Sequence, residues 1–384
     1  MELLYIILPI VFLICGAYVV LIFNYRSGWA GLDYFTKTAE KVFSTKASVI
    51  VAARNEENNI INCLNDITAQ DYPRDLFEII VVDDSSTDNT AVLVEKFITS
   101  HPDSSSVKLI RLSDESKVAS KKQAIEKGIG KSHGDLIITT DADCRMGKQW
   151  LSTLVDYYET HHAKMIIAPV GFHQVNSFFK KLQALEFLSL VASGAASVKI
   201  NNPVLCNGAN LVYEKQAFYA VNGFDANRKY ASGDDMFLLL KMKKRFEGGI
   251  HFIKNYDASV FTQPKSSFKE FLSQRIRWTS KNVGYNDPSV IIVALIVYVF
   301  NLFLLTSLVL AVIHPLFGLL FAFMLLIKIL IDLPIMLGIT SFMKNDKLMN
   351  YYIPLQLLNI PYTVFIGIFG NFFKFNWKGR ALRR

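Results

Sequence analysis

The residues with the clearest chemical use are two aspartates, Asp141 and Asp143, which follow the apolar run 136–140. Residues two apart in an extended segment point to the same side, so these carboxylates could share one hard divalent cation. Mg²⁺ and Mn²⁺ prefer oxygen ligands and readily take phosphate oxygens as their remaining ligands. The spacing therefore predicts a metal and phosphate site, although aspartates at such positions also serve as ordinary turn residues.

A second acidic pair, Asp234-Asp235, follows Gly233 and opens a predicted helix that continues to Phe246. A carboxylate here could act as a general base, because a hydroxyl is a poor nucleophile until its proton is removed. Acidic residues also stabilise the first turn of any helix through the helix dipole. The pair therefore predicts either a catalytic base or an ordinary helix terminus.

The segment Gln274-Arg275-Ile276-Arg277-Trp278 combines groups that can bind a diphosphate and a sugar. Arginine offers paired donors to phosphate, and Trp278 offers an aromatic face to the apolar side of a sugar ring. Arginine and tryptophan are also common in helices that lie at the head-group level of a membrane. Both interpretations stay open on these residues alone.

Alternating apolar runs and helical patterns must position these groups. Strands are predicted at 47–53, 77–82, 107–112 and 136–140, with helices at 58–70, 88–100 and 118–131 between them. Continuous β-branched runs of this kind are typical of a parallel sheet covered on both faces, so the fold class predicted is a doubly wound α/β domain. Ligands in such folds bind at the carboxyl ends of the strands. We therefore expect Ala53-Arg54-Asn55-Glu56, Asp83-Asp84 and Asp141-Ala142-Asp143 to meet at one edge of the sheet.

Long apolar segments flank this region and raise the apolar content of the chain to 51%. The run 3–23 has membrane-spanning length, and three further segments are predicted at about 290–313, 316–338 and 351–373. Glu2 stands where a signal peptide would be basic, and no small-residue cleavage site follows, so the first segment is interpreted as a retained anchor. The sequence predicts a multi-pass membrane protein in contact with the lipid bilayer.

The formal net charge of +8 is interpreted as the positive bias of membrane-flanking segments. No basic helix with interleaved stacking aromatics accompanies it, so nucleic acid is not an expected partner. The four cysteines, Cys15, Cys63, Cys144 and Cys206, show no metal-ligand spacing, which fits a reducing cytosol.

Two amphipathic stretches, 175–200 and 268–281, lie between the α/β region and the later apolar segments. An interfacial helix on the membrane surface is the preferred interpretation of the first, with an ordinary core helix as the alternative. Lys328 and Asp332 lie four apart inside an apolar run, so they could pair on one helix face or line a path through the membrane.

The combination of motifs resembles the inverting glycosyltransferases of family 2, which have the GT-A fold. The resemblance covers roughly residues 46–285, and the layout with flanking apolar segments is similar to that of bacterial poly-N-acetylglucosamine, cellulose and hyaluronan synthases and of ceramide glucosyltransferase. The matching pieces, in the order of the family, are Ala53-Arg54-Asn55-Glu56, Val82-Asp83-Asp84-Ser85-Ser86-Thr87-Asp88, Asp141-Ala142-Asp143, Gly233-Asp234-Asp235 and Gln274-Arg275-Ile276-Arg277-Trp278.

The resemblance implies a role for each matching position. Asp235, next to Asp234, would be the catalytic base, and Asp143 would be the principal ligand of a Mg²⁺ or Mn²⁺ ion, with Asp141 at the ribose or the metal. The other implied site residues are Ala53, Arg54, Glu56 and Asp84 for the nucleotide, usually a uridine diphosphate sugar; Lys121 for the diphosphate; and Gln274, Arg277, Trp278, Asn207 and Gly208 for the diphosphate and acceptor ends.

The expected organisation is an N-terminal anchor at 1–25, a cytoplasmic GT-A domain with interfacial helices at 46–285, two or three membrane segments at 290–373 and a basic tail at 374–384. The expected reaction moves a sugar from a nucleotide diphosphate donor to a hydroxyl of a membrane lipid or a growing β-linked glycan. A processive synthase that secretes a β-linked polymer and a non-catalytic membrane scaffold are the alternatives.

Overall fold

The computed structural model describes residues 2–112, 121–225, 233–279, 284–370, 375–377 and 380–382. The chain divides into two compact units by its internal contacts. We call them the α/β unit, formed by 32–174, 205–264 and 376–384, and the helical unit, formed by 1–31, 175–204 and 265–375.

The α/β unit follows the predicted alternation of strands and helices closely. Its strands are β1 (Ala47–Ala53), β2 (Phe77–Asp83), β3 (Val107–Arg111), β4 (Leu136–Asp141), β5 (Arg145–Met146), β6 (Met165–Ile167), β7 (Val170–Phe172), β8 (Asn210–Glu214), β9 (Ile250–Phe252) and β10 (Val260–Thr262). Its helices are α2 (Ile60–Thr68), α3 (Thr90–Ser100), α4 (Lys121–Lys131), α5 (Trp150–His161), α7 (Lys215–Ala220) and α8 (Asp234–Arg245). The predicted start of α4 at 118–120 lies outside the described residues.

Across the described chain the main sheet has seven strands in the order β3-β2-β1-β4-β8-β6-β9. The first four are parallel, whereas β8 runs antiparallel to both β4 and β6. The strand order reverses between β1 and β4, which is the switch point where open α/β sheets bind ligands. The mostly parallel α/β sheet predicted from the sequence is confirmed.

A second, smaller sheet joins β5, β10 and β7 in that order. Strand β10 pairs antiparallel with β5 and parallel with β7. These strands have only two or three residues each, too few for a periodic pattern to reveal them. These strands help to position the Asp141-Ala142-Asp143 segment, because β5 begins two residues after Asp143.

The helical unit holds the apolar segments. Its helices are α1 (Glu2–Ala30), α6 (Phe178–Lys199), α9 (Phe268–Thr279), α10 (Pro288–Leu310), α11 (Pro315–Phe342) and α12 (Tyr352–Phe369). Among the described residues, four helices are long and apolar enough to cross a membrane: α1, α10, α11 and α12 with the turn before it. The predicted helix end at 281 and segment end at 371–373 lie outside the described residues, as does most of the tail apart from β11 (Phe375–Trp377) and β12 (Arg380–Leu382).

Apolar side chains of the helical unit point both inward and outward. Tyr18, Phe300 and Met324, from three different helices, share one buried cluster. On the outer faces, Leu319 is 69% exposed and Leu330 is 59% exposed. Because soluble proteins rarely expose large contiguous apolar surfaces, helices of this kind indicate association with a membrane.

A polar cluster lies within this apolar unit. Lys328 donates to Asp332 over 2.6 Å, so the predicted pairing of these two residues is confirmed. Tyr18 of α1 donates to the same carboxylate over 2.9 Å, and Gln356 of α12 donates to it over 3.1 Å. One buried carboxylate thereby holds α1, α11 and α12 in a fixed register.

Helix α6 covers most of the amphipathic stretch 175–200. It contacts α1, α11 and α12 and buries residues around most of its circumference. Ser177 caps its first turn by accepting from the Lys180 backbone N–H. Its packing matches that of a core helix of the unit.

The close packing of α4 on the sheet yields a matched test on one helix. A methyl group added at Gly128 would lie 2.8 Å from Cγ2 of Ile50 and 3.2 Å from Cγ2 of Val82. Replacing Gly128 with alanine should therefore destabilise the fold by about 1–3 kcal/mol through overpacking. The measurement is thermal unfolding of the full chain in detergent.

Gly130→Ala is the control, because a methyl group there meets no described atom within 4 Å. It should leave the melting temperature unchanged or raise it, since alanine gains about 0.5–1 kcal/mol over glycine in a helix. Equal shifts in both variants would contradict the packing described for α4.

Candidate active site

The register of the parallel strands brings the first polar groups to one level. Ala53 lies opposite Asp83, and Ala52 lies opposite Asp141. Beyond the strand ends, the Asp84 N–H donates to the Ala53 carbonyl over 2.8 Å. The predicted meeting of three strand-end segments at one sheet edge is therefore observed.

Arg54 and Glu56 fix the turns at this edge. The Arg54 guanidinium donates to the carbonyl oxygens of Asp84 and Ser85, the latter over 2.8 Å, and is itself buried. The Glu56 N–H donates to Oγ1 of Thr90 over 2.7 Å. The Arg54 side chain and the Glu56 backbone thus join the segment after β1 to the residues that follow β2.

Lys121 and Asp141 form an ion pair beside these turns. Burial alone would lower the pKa of Lys121, but the carboxylates of Asp141, Asp234 and Asp235 outweigh it and hold that pKa well above its ordinary value. Lys121 is therefore charged at any physiological pH. It is the cation that faces three of the predicted site carboxylates.

Asp235 is held by backbone groups on both sides. Its Oδ2 accepts from the Gly208 N–H over 3.1 Å and its Oδ1 from the Met236 N–H over 2.8 Å. Gly233 precedes the helix with φ of 86°, a left-handed conformation that glycine adopts without strain. Asp234 is buried, whereas Asp235 is partly exposed, so Asp235 is the carboxylate that a substrate could reach.

Asp143 has a different setting from Asp141. Its Oδ2 accepts from Oγ1 of Thr262, at the end of β10, over 3.0 Å. It also borders a cavity of about 190 Å³, whose other lining residues are Asn58, Asn59, Asn62, Arg145, His173, Gln174 and Gln263. The carboxylates two apart therefore have separate partners, because Asp141 ends β4 and Asp143 lies in the turn that follows.

His173 lines this cavity and carries an unsatisfied ring nitrogen. Its Nε2 is buried and has no hydrogen-bond partner among the described residues. Burial and the Arg145 guanidinium lower the pKa of His173 below its ordinary value, so the ring is neutral near pH 7. A neutral imidazole and carboxamides offer nitrogen and oxygen ligands beside Asp143. The described parts of the chain contain no group of three His, Cys, Asp or Glu side chains placed to hold a metal without other ligands.

Two cysteines near Asp143 are chemically inert. Burial, together with the charge of Asp143, raises the pKa of both the Cys63 and the Cys144 thiols far above the ordinary value. Because the thiolate is the nucleophilic form, neither residue can serve as a covalent catalyst at neutral pH.

The predicted segment 274–278 lies on α9 in the helical unit. Arg275 is its buried residue, whereas Gln274, Arg277 and Trp278 are partly exposed. The family resemblance implies functions for the latter three and none for Arg275. Inside the helical unit, Arg275 contacts both Gln274 and Trp278.

Three residues near Asp143 belong to no sequence motif: Thr262, His173 and Gln263. They follow or end strands of the small sheet and stand far from Asp143 along the chain. No local signal marks them, because their relation to the aspartate exists only once β10 pairs with β5 and β7.

Known proteins resemble this chain along most of its length. The model of "Glycosyl transferase family 2" matches residues 48–221, and that of "Glycosyl transferase family group 2" matches residues 136–343. The glycosyltransferase AglE of Haloferax volcanii is 36% identical over 104 residues, which are 27% of this chain and 32% of AglE. The probable glycosyltransferase YdaM of Bacillus subtilis is 35% identical over 245 residues, which are 62% of this chain and 55% of YdaM.

A solved structure shares the fold at low sequence identity. The mannosyltransferase PcManGT of Pyrobaculum calidifontis, solved with GDP-Man and Mn²⁺, matches with a TM-score of 0.59 and 16% identity over 94% of this chain and 96% of that chain. The likeness confirms the GT-A fold expected from the motifs. Because the group 2 model alone matches more than half of the residues, this chain belongs to glycosyl transferase family 2 and is an enzyme of the glycosyltransferase class.

Proposed function

We propose that this enzyme transfers a sugar from a nucleotide diphosphate donor, a uridine diphosphate sugar in the first place, to a hydroxyl of a membrane-associated acceptor. The observation that carries the proposal is the cluster of Lys121, Asp141, Asp234 and Asp235 beside the switch point of the sheet. Nucleotide ligands of doubly wound folds bind at that point. A cation suited to a diphosphate and a reachable carboxylate near this point support the proposal.

Asp235 is the proposed general base. It takes the proton of the acceptor hydroxyl as the oxygen attacks the anomeric carbon opposite the departing diphosphate, so the configuration inverts. The two backbone N–H groups from Gly208 and Met236 orient its carboxylate while leaving it partly exposed. A base must be held within hydrogen-bond reach of the proton it abstracts, which a backbone-fixed carboxylate satisfies.

Lys121 is proposed to stabilise the leaving group. Its raised pKa keeps the ammonium charged next to the sheet edge. A fixed positive charge stabilises the negative charge that develops on the departing diphosphate. Arg54, Glu56 and Asp84 are proposed to shape the nucleoside pocket, with Arg54 acting through its hydrogen bonds to the backbone that carries Asp84.

A divalent cation, Mg²⁺ or Mn²⁺, is proposed at Asp143. The residues present fit such an ion, because His173 and Gln263, which carry nitrogen and oxygen donor atoms, line the same cavity as Asp143. When bound, the ion would neutralise charge on the diphosphate. Thr262 orients Asp143 through its hydrogen bond to Oδ2.

The acceptor is proposed to be a lipid or a lipid-borne glycan. The apolar outer faces of α10 and α11 support a membrane location for the helical unit. A cytoplasmic location is proposed for the α/β unit. In line with the family resemblance, Gln274, Arg277 and Trp278 are proposed to bind the diphosphate and the acceptor. The same resemblance is the basis for proposing acceptor-side roles for Asn207 and Gly208. A thermal-shift screen with UDP-glucose, UDP-N-acetylglucosamine, UDP-galactose and GDP-mannose tests the donor class.

Replacing Asp235 with asparagine should lower sugar transfer by about 10²–10⁴-fold, the usual contribution of a general base. Nucleotide binding should persist, because the amide keeps the shape of the side chain. Transfer is measured with a radiolabelled UDP sugar and binding by calorimetry with UDP. The control is Asp103→Asn, which removes an exposed carboxylate of the α/β unit that pairs with Arg74 over 3.1 Å. Loss of UDP binding in folded Asp235→Asn protein would refute the assigned role.

Chelation should abolish transfer, and added Mn²⁺ or Mg²⁺ should restore it. Asp143→Asn should raise the Mn²⁺ concentration needed for half-maximal activity, because an amide is a weaker ligand than a carboxylate. Thr262→Val should raise it less, since it removes only the hydrogen bond that orients Asp143. Titration of Mn²⁺ into the purified protein with UDP measures the effect, and full activity in EDTA would exclude the metal.

A further inference from the structure

A buried arginine lies between two of the proposed acceptor-binding residues. Arg275 is 3% exposed, although it stands in the middle of the polar segment 274–278 of α9. Arginine is almost never fully buried unless its charge is paired. The partner is Glu186 of α6, 7% exposed, in the same helical unit.

The pairing of Arg275 with Glu186 is bidentate. Nε of Arg275 donates to Oε1 of Glu186 over 3.2 Å, and Nη2 donates to Oε2. The hydroxyl of Tyr362 on α12 donates to the same Oε1 over 3.3 Å. A planar guanidinium held at two nitrogens has a fixed orientation as well as a fixed position.

The same guanidinium also contacts Phe271, whose ring centre is 4.7 Å from its carbon, and the two side chains Gln274 and Trp278. Nη1 donates to Oε1 of Gln274 over 2.9 Å, and the guanidinium carbon lies 4.2 Å from the centre of the Trp278 ring. Trp278 in turn packs on Phe187, the neighbour of Glu186 along α6, with ring centres 6.1 Å apart. One cation therefore contacts both side chains, and the residues that fix it come from α6.

We propose that Glu186 is a positioning residue for sugar transfer, which acts through Arg275 to orient the side chains of Gln274 and Trp278 toward a sugar acceptor. This inference rests on the proposed function of Gln274 and Trp278. Because an arginine side chain does not give up its charge, the guanidinium needs a counter-charge wherever it lies. Without the Glu186 carboxylate it turns toward another acceptor, and Gln274 and Trp278 lose the partner that holds them.

The first measurement follows Trp278 directly and needs no substrate. The chain has four tryptophans, so 5-fluorotryptophan labelling gives four ¹⁹F resonances, and Trp278→Phe identifies the one of interest. Glu186→Gln keeps the size of the side chain and removes its charge, and it should shift or broaden that resonance. An unchanged Trp278 resonance in folded Glu186→Gln protein would overturn the proposal.

The second measurement is transfer of radiolabelled sugar from each of the four donors into lipid-extractable product. Glu186→Gln should lower transfer by roughly 10- to 100-fold, as misplacement of an acceptor by about 1 Å does. Met324→Ala is the matched control, because it opens the buried apolar cluster of the same unit without touching α9. It should lower the melting temperature yet leave the Trp278 resonance and transfer unchanged.

An exchange of the two charges separates positioning from simple bracing. Glu186→Arg combined with Arg275→Glu keeps an ion pair between α6 and α9 but removes the cation from beside Gln274 and Trp278. The melting temperature should recover relative to Glu186→Arg alone, while transfer should not. Recovery of transfer with the melting temperature would show that the pair is only a brace, and would overturn the proposal.

A Trp278→Ala variant distinguishes failure of the positioning role of Glu186 from failure of the proposed sugar transfer. Trp278→Ala should abolish transfer if the proposed acceptor role holds. Normal transfer by Trp278→Ala, or no transfer by the unmodified protein from any donor, counts against the proposed function. Reduced transfer by Trp278→Ala together with normal transfer by Glu186→Gln counts against positioning alone.

Discussion

The parallel pairing of β1 with β2 and β4 is the constraint on which the rest of the α/β unit depends. It places Ala53 opposite Asp83 and Ala52 opposite Asp141, and Arg54 then joins the turns that follow β1 and β2. A shift of one residue in any of these strands would turn every side chain to the opposite face. Since nearly all residues of these three strands are buried, the register is strongly specified.

Carboxylates gathered at one edge of the sheet repel one another, and the positive charge of Lys121 offsets this repulsion. Asp141, Asp234 and Asp235 come from distant parts of the chain, yet all three raise the pKa of the same ammonium. A cation at this point stabilises the free protein and is suited to a diphosphate in the proposed donor complex. The same charge therefore serves folding and the proposed chemistry.

In the helical unit, buried charges lie among apolar side chains and need partners to be stable. Among its described residues, the buried ion pairs Lys328 with Asp332 and Arg275 with Glu186 each accept a further hydrogen bond from a tyrosine on another helix. A buried pair seldom adds net stability, but it disfavours every alternative packing in which one charge is left alone. Such pairs fix which helix faces meet.

The amino-acid sequence alone was enough to predict the alternation of strands and helices, the parallel part of the sheet and the polar segments after its strands, because these follow from periodicity and strand-end position. It also identified the family, through motifs spread over Ala53 to Trp278. The sequence did not reveal the short strands β5, β7 and β10, or the association of His173 and Gln263 with Asp143. Two- or three-residue strands have no pattern of their own, and their pairing is decided by the whole fold. Likewise, only the tertiary structure showed that Arg275 is the buried member of its segment, since the carboxylate that pairs with it lies on a helix 89 residues away.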